Sequence, residues 1–254
     1  MNKVELDIVN DALSRLYMRR IEKINDIDIF KIIKHKNPYM YKAFGSNDAH
    51  GFVENILSDC QTSSDETIFG AFFEDVAIAI AKNGRKSSAN SIDLEIWSDD
   101  NKSVTLYAIK SGTKVFNAQS IERQRQAFSE ALRRLVGTAV IPKVGFAYGK
   151  ISSSSKQNKN NFEKEAGQIF WENISGDTNF YIKLIDAIGE VSEPHRQKFQ
   201  EEWLKCINKQ YKKFLDVFGN SDGSIDWKSI VQFVSSKDRT TEINKKINKA
   251  KKEG

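Results

Sequence analysis

The sequence predicts an α/β protein in which a central mixed sheet of about five strands is flanked by helices, with a mainly helical additional region. Residues 91–97 and 103–110 alternate apolar and polar side chains as strands do, and a polar turn joins them as a hairpin. The apolar stretch 139–148 suits a central strand. Residues 69–82 and 119–136 repeat apolar side chains every three or four positions, which is typical of amphipathic helices.

The composition excludes several classes of protein. The 254 residues carry 39 Lys and Arg against 34 Asp and Glu, a net charge of +5 that mildly favours an anionic partner. Two distant cysteines, Cys60 and Cys206, form neither a disulfide framework nor a metal-ligand spacing, which indicates a reducing compartment. The N-terminus lacks an apolar signal core, and no apolar run is long enough to span a membrane. We therefore expect a soluble, cytoplasmic protein.

Three regions follow from the apolar patterns. Residues 1–62 are expected to form a helical region for dimerisation or for embracing a ligand. Residues 63–190 form the core, which begins with a helix because Ser63, Ser64 and Asp65 are good N-cap residues. Residues 191–254 form a second helical region that ends in a frayed basic tail from about Lys237.

Several local features complete the predicted elements. Asn83-Gly84 should end a helix with a left-handed residue, and the basic stretch GRKSSANS, 84–91, should be a loop. Pro142 should mark a bulge or an end of its strand. Residues 162–174 are expected to be helical, and 193–218 should form one long helix.

Three side chains between residues 74 and 110 could act together. Glu74 lies at the edge of a buried helical stripe, where a carboxylate is costly unless it has a partner. Asp93 lies on the first strand of the hairpin, and Lys110 ends the second strand. Each residue alone is more often a solvated surface group. Together, they could supply the carboxylates and the cation that phosphodiester hydrolysis with Mg²⁺ requires.

Other common sites are not indicated. There is no P-loop, no dinucleotide fingerprint and no supported Ser-His-Asp arrangement. The sequence GNSDGSIDW fails as a calcium loop. With Gly223 as its turn glycine, Phe218 and Ser229 would occupy positions that require acids.

The same region carries a family resemblance. IDLEIW, then AIKSG, then NAQ at the start of a helix resemble the motif region of type II restriction endonucleases in the PD-(D/E)xK nuclease superfamily. ETIFGAFFEDVAIAIA looks like the acidic helix that precedes this region. GQIFWENISGD, at 167–177, is similar to a helix and turn in the branch that cuts interrupted GGNCC-type DNA sites. The resemblance covers roughly residues 36–190 and implies a restriction-endonuclease-like fold.

The resemblance implies a role for each motif residue. Asp93 corresponds to the central metal-binding aspartate and Lys110 to the catalytic lysine. Glu74 and Ile109 join Asp93 in the set of metal-binding positions, and the implied metal is Mg²⁺. Gln119, after the lysine strand, looks like an accessory polar residue that contacts the site or the DNA backbone.

One position departs from the family pattern. The second acid of the motif belongs two residues before the lysine, where this chain has Ala108. Glu74 is the first choice as its substitute, and Glu95 is the second because it shares a strand face with Asp93. The leading hypothesis is a sequence-specific DNA endonuclease. The alternatives are a catalytically impaired DNA-binding protein with a nuclease fold and a helical interaction protein whose acids are surface residues.

DNA and a second copy of the chain are the implied macromolecular partners. Palindromic DNA suits a homodimer with one active site for each strand. The host of such an enzyme is expected to carry a companion DNA methyltransferase. Lys150, Lys156 and Lys159 lie in the polar loop 149–161 and could contact DNA phosphates. The DNA-binding candidates are Arg85, Lys86, Lys114, Asn117, Arg123 and Lys150.

Overall fold

The computed structural model describes residues 1–45, 48–151, 161–237 and 242–252. They form two compact units. The first unit comprises residues 1–16 and 67–195, and the second comprises residues 17–66 and 196–254. No helix in the described ranges is long and apolar enough to cross a membrane.

The first unit contains a five-stranded mixed sheet, as predicted. Its strands are β1 Gly84–Lys86, β2 Leu94–Trp97, β3 Ser103–Lys110, β4 Ala139–Phe146 and β5 Glu163–Ala166. The strands lie side by side in chain order. The pairs β1–β2 and β2–β3 are antiparallel, whereas β3–β4 and β4–β5 are parallel.

Helices account for most of the other described residues. They are α1 Lys3–Asn25, α2 Ile29–Ile33, α3 Pro38–Ala43, α4 Ala49–Ile80, α5 Ala118–Arg134, α6 Gln168–Ser175, α7 Phe180–Val191, α8 Glu193–Phe218, α9 Trp227–Ser235 and α10 Glu242–Lys252. The bounds of α8 match the prediction. Helices α1, α4 and α8 each contribute residues to both units.

The predicted helix start at residues 63–65 is wrong, because α4 runs through it without a break. The side chains that were expected to cap a helix make other bonds. The Ser64 hydroxyl donates to the carbonyl of Cys60, one turn earlier, at 3.1 Å. The Asp65 carboxylate accepts from Arg20 and from Gln61. Ser64 and Asp65 are thus bonded in ways that fit a continuous helix rather than a helix start.

Three predictions about strands are corrected by pairing between distant residues. Residues 84–86 form a strand rather than a loop, because they pair with β2. Residues 163–166 form β5 rather than a helix, since pairing with β4 outweighs their local helix propensity. Pro142 lies inside β4 without ending it. Strand β5 begins opposite Lys143, one residue after this proline. In the described pairing, Pro142 therefore faces a neighbouring strand on the β3 side alone, where its missing N–H is tolerated.

The sheet is packed on both faces by apolar side chains. On one face, Ala108 and Val144 join Phe128 of α5 in a buried cluster. On the other face, Tyr107 packs edge-on against Phe170 of α6, with ring centroids 6.0 Å apart. Gly145 is required below this ring, because a Cβ there would lie 2.2 Å from Phe170.

Residues 242–252 form a helix within the tail that the sequence predicted to be frayed. Helix α10 buries Ile243, Ile247 and Ala250 in an apolar cluster that also contains Phe214 and Phe218 of α8. The prediction failed because these apolar residues are few and are separated by lysines, although their spacing places them on one helical face.

Truncation of the α10 anchor should therefore destabilise the protein. We expect Ile247→Ala to lower the free energy of unfolding by about 2–4 kcal/mol, because it leaves a cavity at a side chain only 6% exposed. Denaturant unfolding measures this change. Lys246→Ala, on the exposed side of the same helix, is the control and should change stability by less than about 0.5 kcal/mol. Equal effects of the two substitutions would show that α10 is not anchored.

Candidate active site

Asp93 and Ile109 are joined by the backbone pairing of the hairpin. The register pairs Leu94 with Tyr107, which brings Asp93 beside the end of β3. The Asp93 amide donates to the Tyr107 carbonyl at 2.8 Å. In return, the Ile109 amide donates to Asp93 Oδ2 at 2.6 Å. The carboxylate is therefore held in one orientation by the strand itself.

Lys110 completes this group at the last residue of β3. Its Nζ donates to the Ile109 carbonyl at 2.9 Å and lies 3.7 Å from Asp93 Oδ2. The side chains of Lys110 and Asp93 are 31% and 20% exposed, so both groups can be reached by a ligand. The ammonium thus contacts oxygens of two of the three positions that were expected to bind the metal, Asp93 and Ile109.

Glu74 of α4 is an electrostatic neighbour of this group. Burial is the largest cause of a raised pKa of its carboxyl group, and the negative charge of Asp93 adds to it, while Lys110 and Lys86 act in the opposite direction; the net pKa is about 6. The carboxylate of Asp75, which pairs with Arg15 at 3.0 Å, also contributes to the increase. Ionisation of Glu74 therefore costs free energy in the folded protein, and a bound metal cation would offset this cost.

The oxygen atoms of this group suit a hard divalent cation. Asp93 and Glu74 supply carboxylates, and Ile109 can supply only its carbonyl, since its side chain is buried and apolar. Within the described ranges, no group of three or more His, Cys, Asp or Glu residues could hold a metal ion. Two carboxylates, one carbonyl and water nevertheless match what Mg²⁺ usually accepts.

Glu95, the second candidate acid, is already engaged. Its carboxylate accepts from Arg85 Nε at 2.9 Å, Ser87 Oγ at 2.9 Å and Trp97 Nε1 at 3.2 Å. Burial acts to raise the pKa of Glu95, but these hydrogen bonds outweigh it and hold the pKa below its usual value. The ion pair between Glu95 of β2 and Arg85 of β1 therefore links the two strands, and it occupies both side chains.

Ala108 leaves no carboxylate at the expected position. Its side chain is fully buried in the apolar cluster between the sheet and α5, beside Phe128 and Val144. Of the two acids named as substitutes, Glu74 has the electrostatic coupling to Asp93 and Lys110.

The DNA-binding candidates differ in their surroundings. Lys86 is exposed and acts on the charge of Glu74, so it lies on the side of the candidate site. Arg85 pairs with Glu95 and lies over the Trp97 ring, 4.8 Å from its centroid. Asn117 caps α5, its Oδ1 accepting from the Ser120 amide at 2.9 Å. The remaining exposed candidates are Lys114, Gln119, Arg123 and Lys150. Lys156 and Lys159 lie outside the described residues.

Sequence reasoning did not identify Tyr148, which follows β4 beside the end of β3. After β3 and β4 end, the chains continue side by side, because Ala147 and Tyr148 donate their amides to the carbonyls of Lys110 and Ser111. The Tyr148 ring lies over Gly112, where a Cβ would come within 2.7 Å of the ring. Tyr148 is 60% exposed, so an accessible aromatic side chain lies beside the residues that follow Lys110.

Comparison with known proteins identifies the family of the chain. The family model for the type II restriction endonuclease EcoO109I matches residues 3–195, which include the whole sheet and the group around Asp93. A search of curated proteins finds no match. Because the family model covers well over half of the 254 residues, the chain belongs to the EcoO109I family of type II restriction endonucleases, which are site-specific deoxyribonucleases.

Proposed function

We propose that the enzyme hydrolyses double-stranded DNA with Mg²⁺ held by Asp93, Glu74 and the carbonyl of Ile109. The observation that carries this proposal is the convergence of Asp93, Ile109 and Lys110 at the end of β3, with Glu74 coupled to them electrostatically. When bound, the metal would polarise the scissile phosphate and lower the pKa of a water molecule.

The chain's own residues prepare the site for this reaction. The Ile109 amide fixes the orientation of the Asp93 carboxylate. Lys110, which ends a strand and is partly exposed, is placed to stabilise negative charge on the phosphate. Glu74 takes the role of the acid that is missing at Ala108. Lys86 and the exposed candidates at the start of α5 are suited to contact neighbouring phosphates.

We further propose that two copies act together in the cytoplasm. DNA sites of the interrupted GGNCC type have two-fold symmetry, so a homodimer would present one active site to each strand. A companion methyltransferase in the host would protect its own sites.

Digestion of unmethylated phage DNA with and without Mg²⁺ tests the proposed function. We expect discrete fragments with Mg²⁺ and intact DNA in EDTA, and sequencing of the fragment ends would give the recognition site. Ala108 favours one alternative, a DNA-binding protein whose site no longer cleaves. Specific binding without cleavage in either Mg²⁺ or Mn²⁺ would support that alternative.

A further inference from the structure

The two units differ in charge. The second unit contains 21 Lys and Arg and 16 Asp and Glu, and therefore has a net charge of +5. The first unit, which holds the sheet and the candidate active site, contains 18 residues of each sign and is neutral. The whole positive excess of the protein thus belongs to the second unit. An enzyme whose substrate is a polyanion would use this excess for binding.

Many of the lysines that give the second unit its positive charge follow a sequence pattern that occurs twice. In α8, Glu202 is followed by lysines three, seven and ten residues later, and in α10 Glu242 is followed by lysines at the same three distances. This spacing places the residues of each set along one side of a helix. We call the two sets the lysine stripes. They are Lys205, Lys209 and Lys212 on α8, and Lys245, Lys249 and Lys252 on α10.

The structure orients both stripes outward. Ile207 and Ile247 each lie two residues before the middle lysine of their stripe, and both are buried in the same apolar cluster of the second unit. All six lysines are exposed. In each stripe, the first lysine pairs with the glutamate that precedes it, at 2.7 Å for Lys205 and 2.5 Å for Lys245. Two further lysines continue each stripe beyond that glutamate.

We propose that the lysine stripes bind the phosphate backbone of DNA, at a surface separate from the candidate active site. Like charges one turn apart repel each other on a helix, and phosphates bound along these rows would reduce that repulsion. Lysine offers a flexible point charge, which suits phosphate better than the edge of a base. The stripes would therefore increase the affinity for DNA of any sequence and would not select the recognition site. This inference rests on DNA as the substrate.

The salt dependence of DNA binding tests the stripes. The variant Lys212→Glu/Lys252→Glu reverses the charge of the last lysine in each stripe. Binding to a short fluorescent DNA duplex is measured in EDTA, which prevents metal-dependent cleavage, between about 50 and 200 mM salt. We expect weaker binding and a salt slope smaller by about 2, because each lysine–phosphate contact contributes about 1.

A matched control separates the stripes from total charge. Lys3→Glu/Lys102→Glu makes the same charge change at two exposed lysines of the first unit and should leave the slope unchanged. Thermal melting of both variants verifies that they fold. A wild-type slope in the stripe variant, or an equal loss in the control, would overturn the inference. Failure of the wild-type enzyme to cleave in Mg²⁺ would instead overturn the proposed function, because the slopes in EDTA do not depend on cleavage.

Discussion

Asp93→Asn is expected to lower the rate of DNA cleavage by on the order of a thousandfold, the largest effect of any single substitution in this site. Asparagine has nearly the same shape, and its carbonyl oxygen can still accept the Ile109 amide that now donates at 2.6 Å. The strand pairing should therefore survive, while the negative charge that a cation requires is lost. Single-turnover cleavage at saturating DNA and Mg²⁺ measures the effect.

Asp100→Asn provides a matched control for this experiment. Asp100 is an exposed carboxylate in the turn of the same hairpin, where it accepts hydrogen bonds from Ser98 and Lys102. Its substitution removes one negative charge near the strands but not from the site, and cleavage should stay within about twofold of wild type. If Asp93→Asn cleaves as fast as this control, Asp93 is not a metal ligand.

Glu74→Gln should abolish most cleavage and, in metal-free buffer, make the protein more stable at neutral pH. The folded pKa of Glu74, about 6, exceeds its ordinary value of 4.5, so ionising this group costs more in the folded protein than in the unfolded chain. That cost is fully present above pH 6 and absent below pH 4.5. Because the carboxyl group is partly solvated, screening reduces this cost, and the variant should gain about 1 kcal/mol of unfolding free energy at pH 7.5. Thermal melts in EDTA from pH 4.5 to 8 should show the gain disappearing as the pH falls through this range.

Glu95→Gln distinguishes the two candidate acids. Glu95 accepts hydrogen bonds from Arg85, Ser87 and Trp97, so its loss should cost about 1–3 kcal/mol of stability. Cleavage by the folded variant should persist. The opposite pattern, in which Glu95→Gln loses cleavage while Glu74→Gln retains it, would transfer the role of the missing acid to Glu95.

The parts of the fold that could be predicted are those with strong local periodicity. Strand β3 and helix α8 have the predicted bounds, because alternation and helical repetition are properties of neighbouring residues. Strands β1 and β5 were missed, since short polar segments become strands only through partners distant in the chain. Helix α10 was missed because its stability comes from the cluster it packs against.

In the candidate site, too, contacts between neighbouring segments could be predicted from the sequence, whereas contacts that depend on distant strand pairing could not. The sequence places Asp93 and Lys110 on adjacent strands of one hairpin, so their proximity could be predicted from the turn alone. The preference for Glu74 over Glu95 stays a prediction, and the sequence alone does not show that Arg85 pairs with Glu95. Arg85 reaches Glu95 only because residues 84–86 add a strand beside β2. The position of Tyr148 over Gly112 likewise depends on the parallel pairing of β3 with β4.

The contacts of Lys110 make it an internal competitor for the cation. Its ammonium contacts the oxygens of Asp93 and Ile109, so a divalent ion at the proposed site would have to displace it from them. This displacement would lower the intrinsic affinity for metal. A DNA phosphate in the site would attract the ammonium away and add an oxygen ligand of its own. In the proposed enzyme, DNA and metal would therefore bind with positive coupling, and the free protein would hold its metal only weakly.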